Sequence, residues 1–247
     1  MNPDFIFHRE RPVSDVPALI RLCLLLALCL QLVWHGLQPP LEARAKDLPP
    51  PLPVRAYIMA SLGEPVAAGR YLDLWLQAFD DQPGVSLSFN QLDYHRLTQW
   101  LDVILELDPR GQYPLLLAAR VYGSIRNPEK QRVMMEYIYT RFNKDPDRYW
   151  RWLAHAVITA KHELRDPALA LKYADALASR GSKVPYWARD MKIIVLEDMG
   201  QLEAARILTG ALIDSGEISD PYELKFLTNK ITELEKKSLK KRQTVEK

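Results

Sequence analysis

Hydrophobic residues are distributed along this chain in two different patterns. Between Ala18 and Leu37 nearly every position is apolar, and the centre of the run reads LCLLLALCL. From Arg55 onward apolar residues return every three or four positions, which is the period of a helix that buries one face. The pattern predicts an all-α protein in which one transmembrane helix precedes a domain built from amphipathic helices.

The apolar run has the length and the flanking residues of a membrane span. Pro17 to Leu37 contains 21 residues, and about 20 are needed to cross the hydrocarbon layer. Arg21 lies near one end, where its stem can reach the headgroups, and Trp34 lies near the other, where an indole ring suits the interface. We assign residues 17–38 to a transmembrane helix in contact with the lipid bilayer, and residues 1–16 to a short N-terminal tail.

Two other interpretations of this run remain open. A cleaved signal peptide would use Ala43-Arg44-Ala45 as its small-x-small cleavage site. Such a peptide would be long, and Pro39-Pro40 separates the apolar run from the site. A buried core helix is the second alternative, against which the proline-rich flanks argue. We favour an uncleaved anchor because the run fills the length that a span needs.

A proline-rich linker follows the span over residues 39–54. From Leu41 to Val54 it reads LEARAKDLPPPLPV. Consecutive prolines favour an extended, semi-rigid conformation. We therefore expect a spacer that holds the following domain away from the bilayer without packing against it.

The rest of the chain divides into helices separated by proline, glycine and polar residues. Asp81–Asn90, which contains Pro83-Gly84, is expected to be a loop. The predicted helices are Arg55–Leu62, one that begins at Pro65, Leu92–Leu107, Pro114–Tyr122, Pro128–Phe142, Asp147–His162, Pro167–Ala178, Tyr186–Met199, Gln201–Ser215, and Tyr222 to about Leu239.

A proline beside an aromatic residue recurs four times in this region. The prolines are Pro109, Pro146, Pro185 and Pro221, and they are 37, 39 and 36 residues apart. A fixed period in this range is typical of helical repeat arrays, and two helices fit between successive prolines. We predict an antiparallel helix-hairpin solenoid over residues 55–221, with a capping helix and a charged tail over residues 222–247.

The hairpins resemble the tetratricopeptide repeat (TPR) family, in a divergent form. That family uses small residues where its two helices cross, together with particular aromatic positions. The positions that carry the resemblance are Ala119, Tyr122, Trp152, Ala156, Ala170, Ala174, Leu177, Gly200 and Ala205. The periods are longer than the usual one, and Thr159 and Thr209 stand where aromatic residues are expected. The resemblance implies a right-handed superhelix that binds other proteins on its concave face.

Composition and motifs argue against several classes of function. The net charge is +2, so no strong field attracts nucleic acid. Glycine-rich phosphate loops and nucleophile or zinc motifs are absent from the sequence. His155 and His162 lie on one helix face next to Glu163, but the sequence offers no further ligand at metal-binding spacing. We therefore expect no cofactor, no metal, no small-molecule ligand and no enzymatic activity.

The candidate binding surface mixes aromatic and cationic side chains, a composition common in protein interfaces. We expect it to lie on the concave face formed by the first helix of each hairpin. Its predicted residues are Tyr113, Arg120, Trp150, Arg151, His155 and Lys192. The expected role is a non-enzymatic scaffold or assembly factor that binds other proteins of a membrane complex. The alternative is an accessory subunit that recognises a substrate or glycan in a cell-envelope biosynthesis or secretion complex.

The orientation in the membrane is not decided by charge, since three Lys or Arg residues flank the span on each side. Both cysteines, Cys23 and Cys29, lie in the span, so the domain contains none and suits an oxidising compartment. We expect the N-terminus inside and the domain outside, which in a bacterium is an inner-membrane protein with a periplasmic C-terminal domain.

Overall fold

The computed structural model describes residues 16–38, 45–216 and 218–245. Most of the predicted N-terminal tail, and two residues of the alternative cleavage site, lie outside the described residues. The chain divides into two compact units, and the boundary in the sequence falls between Arg44 and Ala45.

The first unit contains a single continuous helix, α1 (Ala18–Leu37). It begins directly after Pro17, and none of its residues is buried. The expected apolar N-terminal helix is confirmed, because α1 is long and apolar enough to cross a membrane. A signal sequence near the N-terminus meets the same criteria.

The second unit is mostly helical, as the sequence pattern predicts. A short antiparallel ribbon, β1 (Asp81–Gln82) and β2 (Val85–Ser86), lies within the predicted loop and pairs Asp81 with Ser86. The helices are α2 (Val54–Ala60), α3 (Pro65–Gln77), α4 (Tyr94–Leu107), α5 (Tyr113–Leu116), α6 (Pro128–Lys144), α7 (Pro146–His162), α8 (Pro167–Ser179), α9 (Tyr186–Arg189), α10 (Met191–Asp198), α11 (Leu202–Asp214) and α12 (Pro221–Val245).

Helices α6, α7 and α8 begin with the same type of N-terminal cap. An Asn or Asp precedes a proline, and its side-chain oxygen accepts a hydrogen bond from a backbone N–H in the first turn. Asn127, Asp145 and Asp166 are these caps. The proline itself costs no hydrogen bond there, since its N–H would have no partner within the helix. These three helix starts are therefore set by local chemistry.

Two predicted helices are interrupted. The one expected over Pro114–Tyr122 is instead α5, a wider π-helical turn at Leu117–Val121 and a 3₁₀ turn at Tyr122–Ser124. Tyr122 is fully buried there, and its hydroxyl donates to the Leu76 carbonyl at 3.2 Å. The helix expected over Tyr186–Met199 is broken between α9 and α10 at Asp190, a buried residue. In both places a residue held by tertiary packing interrupts the regular helix.

The proline-rich segment does not behave as the expected free spacer. Leu48 is only 2% exposed and belongs to the main hydrophobic core. Arg96 of α4 donates to the Leu48 carbonyl at 2.8 Å, and the Trp100 indole N–H donates to the Pro49 carbonyl at 2.7 Å. The expectation that the linker avoids the domain is therefore wrong for residues 45–53, which form a strap along α4.

Helices α3 to α12 pack mainly against their neighbours in the chain. α3 contacts α4, α6 contacts α7, α7 contacts α8, α8 contacts α10, and α11 contacts α12. Ala156, Ala170 and Ala174 are fully buried within the larger core. A second cluster joins α10, α11 and α12 through Ile193, Leu196, Ala205, Leu227 and Leu234. Small side chains allow helix axes to approach to about 8–10 Å, which explains the alanines at these buried positions.

Candidate functional site

Helix α7 is enclosed by other helices except along one narrow line. It contacts α5, α6, α8 and α10, and its alanines are buried on these sides. Arg151, Ile158 and His162 are exposed, and His155 is half-buried. These four residues are spaced by four, three and four positions, so they lie on one helix face. We call them the α7 strip.

His155 marks the point where the α7 strip meets the neighbouring π-helical turn. Its Nε2 lies 3.1 Å from the Ala119 carbonyl oxygen, which can only accept, so this nitrogen carries the proton. Burial lowers the pKa of His155, and the Arg120 guanidinium beside it lowers this pKa further. The bond to Ala119 opposes these effects without reversing them. His155 is therefore a neutral imidazole at neutral pH, with Nδ1 as an acceptor.

A cavity of about 310 Å³ lies at the N-terminal end of the α7 strip. The Trp150 ring contacts Trp187 edge to face, with centroids 5.5 Å apart, and the Arg151 guanidinium lies 5.2 Å from the Trp150 centroid. Trp187 is 54% exposed, so this aromatic pair is open to a ligand. The lining residues are Gln112, Asp145, Asp147, Arg148, Trp150, Arg151 and Lys183.

The acidic groups around this cavity are already engaged. Asp145 caps α7 and pairs with Arg148 at 3.1 Å. Asp147 accepts from the backbone N–H of Lys183 at 2.8 Å and from the Ser182 hydroxyl at 2.9 Å, and these bonds lower the pKa of Asp147. A ligand entering the cavity therefore meets carboxylates whose hydrogen-bonding capacity is largely used.

Two arginines near the α7 strip are unpaired. Arg120 and Arg151 are both exposed. In the part of the chain that the structure describes, neither guanidinium forms an ion pair or a hydrogen bond with the protein. The Arg151 guanidinium lies over the face of Trp150. These cations are available to a partner, in contrast to Lys161, which pairs with Asp198.

The C-terminal end of the α7 strip is more apolar. A cavity of about 170 Å³ lies there between α7 and α10. Its lining residues are Val157, Ile158, Lys161, His162, Met191, Ile194 and Val195. The surface along α7 thus changes from aromatic and cationic at one end to aliphatic at the other.

The structure brings together four of the six residues predicted from the sequence. Trp150, Arg151 and His155 lie on α7, and Arg120 lies beside His155. Tyr113 is half-buried at the start of α5, where its hydroxyl donates to the Gln77 side chain at 3.0 Å.

Lys192, the remaining predicted residue, interacts with another helix. The Lys192 ammonium pairs with Asp175 of α8 at 2.5 Å, so its charge is already neutralised. Sequence reasoning missed Ile158 and Trp187. The position of Ile158, seven residues after Arg151, was a signal that could have found it.

No metal site is evident among the described residues, which contain no group of three or more His, Cys, Asp or Glu side chains that could hold an ion. Glu163, which follows the histidine pair in sequence, instead accepts a hydrogen bond from Gln131 of α6 at 2.7 Å. The exposed side-chain atoms of the α7 strip are therefore suited to hydrogen bonding and packing with a partner.

Comparison with known proteins does not place the chain in a family. No protein-family model, no curated protein and no solved structure matches it.

Proposed function

We propose that this protein is a membrane-anchored, TPR-like helical-repeat scaffold or assembly factor that binds protein partners and catalyses no reaction. The observation that carries the proposal is the α7 strip. A helix covered on its other sides exposes one line of residues between two cavities. Arg151 within this line and Arg120 beside it have no ion-pair partner among the described residues.

The order of helix packing supports a solenoid of helix hairpins. The hairpins are α3 with α4, the π-helical turn that continues α5 with α6, α7 with α8, and α10 with α11, and each second helix contacts the first helix of the next hairpin. Hydrogen bonds also join successive first helices, through Gln77–Tyr113, Gln112–Trp152 and Ala119–His155. Their sequence separations are 36, 40 and 36 residues, close to the proline period. Such regularity is typical of stacked repeats.

The dimensions of the α7 strip suit an extended peptide segment. Arg151 and Ile158 are seven residues apart, which is about 10 Å along a helix. Three residues of an extended chain cover the same distance. One partner side chain could stack against Trp150 and Trp187 while another fills the aliphatic cavity beside Ile158. Exposed aromatic and arginine side chains are frequent anchors in protein interfaces.

Helix α1 supplies the anchor in this proposal, uncleaved and in contact with the bilayer over residues 17–38. The N-terminus lies inside and the second unit outside, which in a bacterium is the periplasmic side of the inner membrane. Support comes from the length of α1 and from the cysteine-free second unit.

The test is site-specific photo-crosslinking of the full chain in its own membranes. A benzophenone amino acid replaces Arg151 or Ile158 in separate variants, and Ala168, an exposed residue of the second helix α8, is the control position. We expect the same partner protein to be captured from both α7 positions and not from Ala168. Equal capture from all three positions, or capture from Ala168 alone, would contradict the proposal.

A second candidate function is recognition of a glycan or other polar substrate as an accessory subunit of an envelope biosynthesis or secretion complex. The observation in its favour is the cavity of about 310 Å³, where the Trp150 ring faces amide, carboxylate and guanidinium groups. Sugar rings bind by stacking on aromatic faces and hydrogen bonding to such groups. Titration with envelope glycan fragments, followed by tryptophan fluorescence, should saturate in the parent chain and not in Trp150→Ala. A linear response in both would exclude this candidate.

A further inference from the structure

Helices α2 and α3 and the turn between them expose an apolar surface. Leu62 is 94% exposed and Met59 is 77% exposed. The large apolar residues of this surface, which we call the α2–α3 edge, are Ile58, Met59, Leu62, Val66, Tyr71 and Leu74. Single exposed apolar residues are ordinary, but six large exposed apolar residues between Ile58 and Leu74 are typical of a surface that is covered by something else.

The turn at the centre of the α2–α3 edge holds Leu62 in an unfavourable backbone conformation. Its φ is 51°, in the left-handed region that glycine and asparagine adopt more easily, and Gly63 follows with a φ of 97°. This backbone leaves Leu62 almost wholly exposed, without packing against the rest of its unit. An aliphatic side chain at such a position gains nothing from the fold as described, which suggests that it contacts something outside the unit.

Charged residues are sparse on the α2–α3 edge. Between Val54 and Gln77, all of which the structure describes, the exposed charged residues are Arg55, Glu64 and Arg70. Helix α12, at the other end of the unit, places its exposed apolar residues among many Lys and Glu side chains. Terminal elements of a repeat array need a polar outer face to remain soluble, and the α2–α3 edge lacks one.

We propose that the α2–α3 edge lies against the lipid bilayer that holds α1. Its aliphatic residues, Met59 and Tyr71 have the composition of an interfacial membrane surface, and the exposed Arg55 can reach the headgroups, whereas Arg70 pairs with Asp108 at 2.8 Å. Only residues 39–44 lie between the described end of the anchor segment at Gln38 and the described start of the strap at Ala45. A short tether gives a bilayer a high effective concentration at a weakly binding surface. This inference rests on the proposed membrane anchor.

The docked strap agrees with this location. Residues 45–53 were expected to act as a spacer, but Leu48 and Pro49 are held against α4. The length that would have separated the domain from the membrane is therefore used in packing. The strap leads directly into α2 at Val54, so α2 and α3 are the first helices of the unit after the anchor in sequence.

The test uses the full chain in vesicles of phosphatidylcholine and phosphatidylglycerol. Cys23 and Cys29 are first replaced by alanine, and a single cysteine carrying the fluorophore NBD is placed by Leu62→Cys, with Met59→Cys as a second site. Lys225→Cys, on the exposed side of α12, is the control. We expect NBD at positions 62 and 59 to have blue-shifted emission, to be quenched by nitroxide-labelled lipid and to be protected from a water-soluble nickel quencher. NBD at position 225 should show the opposite behaviour.

Each alternative result overturns the inference in a recognisable way. Equal quenching by nickel at positions 62 and 225 would show that the edge faces water. In another outcome, NBD at position 62 is protected from nickel without being quenched by nitroxide-labelled lipid. If this protection also weakens as the protein is diluted in lipid, a second copy of the chain covers the edge. Extraction of the chain from the vesicles by alkaline carbonate would instead show that the proposed anchor fails.

Discussion

The packing between helix hairpins can be tested at Ala170. This residue is 0% exposed in the first turn of α8, a helix that packs on both α7 and α10. Ala168, two positions earlier on the same helix, is exposed. Ala170→Leu therefore adds three carbon atoms to a filled interior, whereas Ala168→Leu adds the same atoms to a surface.

The expected cost follows from overpacking. A larger side chain in a well-packed core forces rotamer strain or helix displacement that typically costs about 1–3 kcal/mol. Folded domains are stable by only about 5–15 kcal/mol, so this is a substantial fraction. In a domain of about 150–250 residues each kcal/mol lowers the Tm by roughly 2–4 °C. We expect Ala170→Leu to lower the Tm by several degrees, and Ala168→Leu to change it by less than about 2 °C.

The assay is a thermal melt of the fragment that begins at Lys46, followed by circular dichroism. The parent fragment must first melt cooperatively. Lys172, which the sequence places on the outer side of α8, is unsuitable as the control because its ammonium pairs with Glu136 at 2.8 Å and lies 4.4 Å from the Tyr139 ring. Equal Tm values for the Ala170 and Ala168 variants would refute the reasoning, since Ala170 would then tolerate the added volume that the buried position forbids.

Three further predictions concern pH, the strap and topology. Burial and the adjacent Glu223 carboxyl raise the pKa of Asp190 from 3.8 to about 8, so the folded state keeps a proton that the unfolded state releases. The stabilisation from the protonated Asp190 side chain should be complete below pH 4 and lost by about pH 8. Urea midpoints should therefore fall between these pH values in the parent protein, and less steeply in Asp190→Asn. Deleting residues 1–45 should leave a soluble helical protein. Deleting residues 1–53 also removes Leu48 and the hydrogen bonds of the strap, among them those from Arg96 and Trp100 of α4, and should reduce the free energy of unfolding by about 2–4 kcal/mol; equal urea midpoints for the two fragments would show that the strap contributes nothing. Alkaline phosphatase fused after Lys247 should be active, and an active cytoplasmic reporter in its place would reverse the proposed orientation.

Several features of the structure could be predicted because their causes are local. The apolar run of α1 is visible in any window of about 20 residues. The Asn-Pro and Asp-Pro pairs at Asn127, Asp145 and Asp166 place helix starts correctly, since a cap bonds a backbone N–H within three residues of itself. The burial of Ala156, Ala170 and Ala174 was likewise expected from the spacing of small residues.

The candidate site was predicted only in part. Arg151 and His155 share one face of α7 at a spacing of four, which any helical wheel shows. Whether that face is exposed depends on how α5, α6, α8 and α10 pack around α7. The local sequence pattern does not predict this packing. Lys192 illustrates the limit, because it was expected on the open face of a first helix, while in the structure its ammonium pairs with Asp175 of α8.

The sequence by itself determined where helices form and which stretch can enter a membrane, because hydrogen bonds, caps and hydrophobic periodicity act over a few residues. Only the tertiary structure decided that the strap packs through Leu48, that the helix after α5 widens before Tyr122, and that Arg120 and Arg151 remain unpaired. These outcomes depend on contacts between residues about 30 to 50 positions apart, such as Trp100 with Pro49 and Tyr122 with Leu76. Such contacts form only when several elements are in place at once, so their energies cannot be assigned to any single segment of the chain.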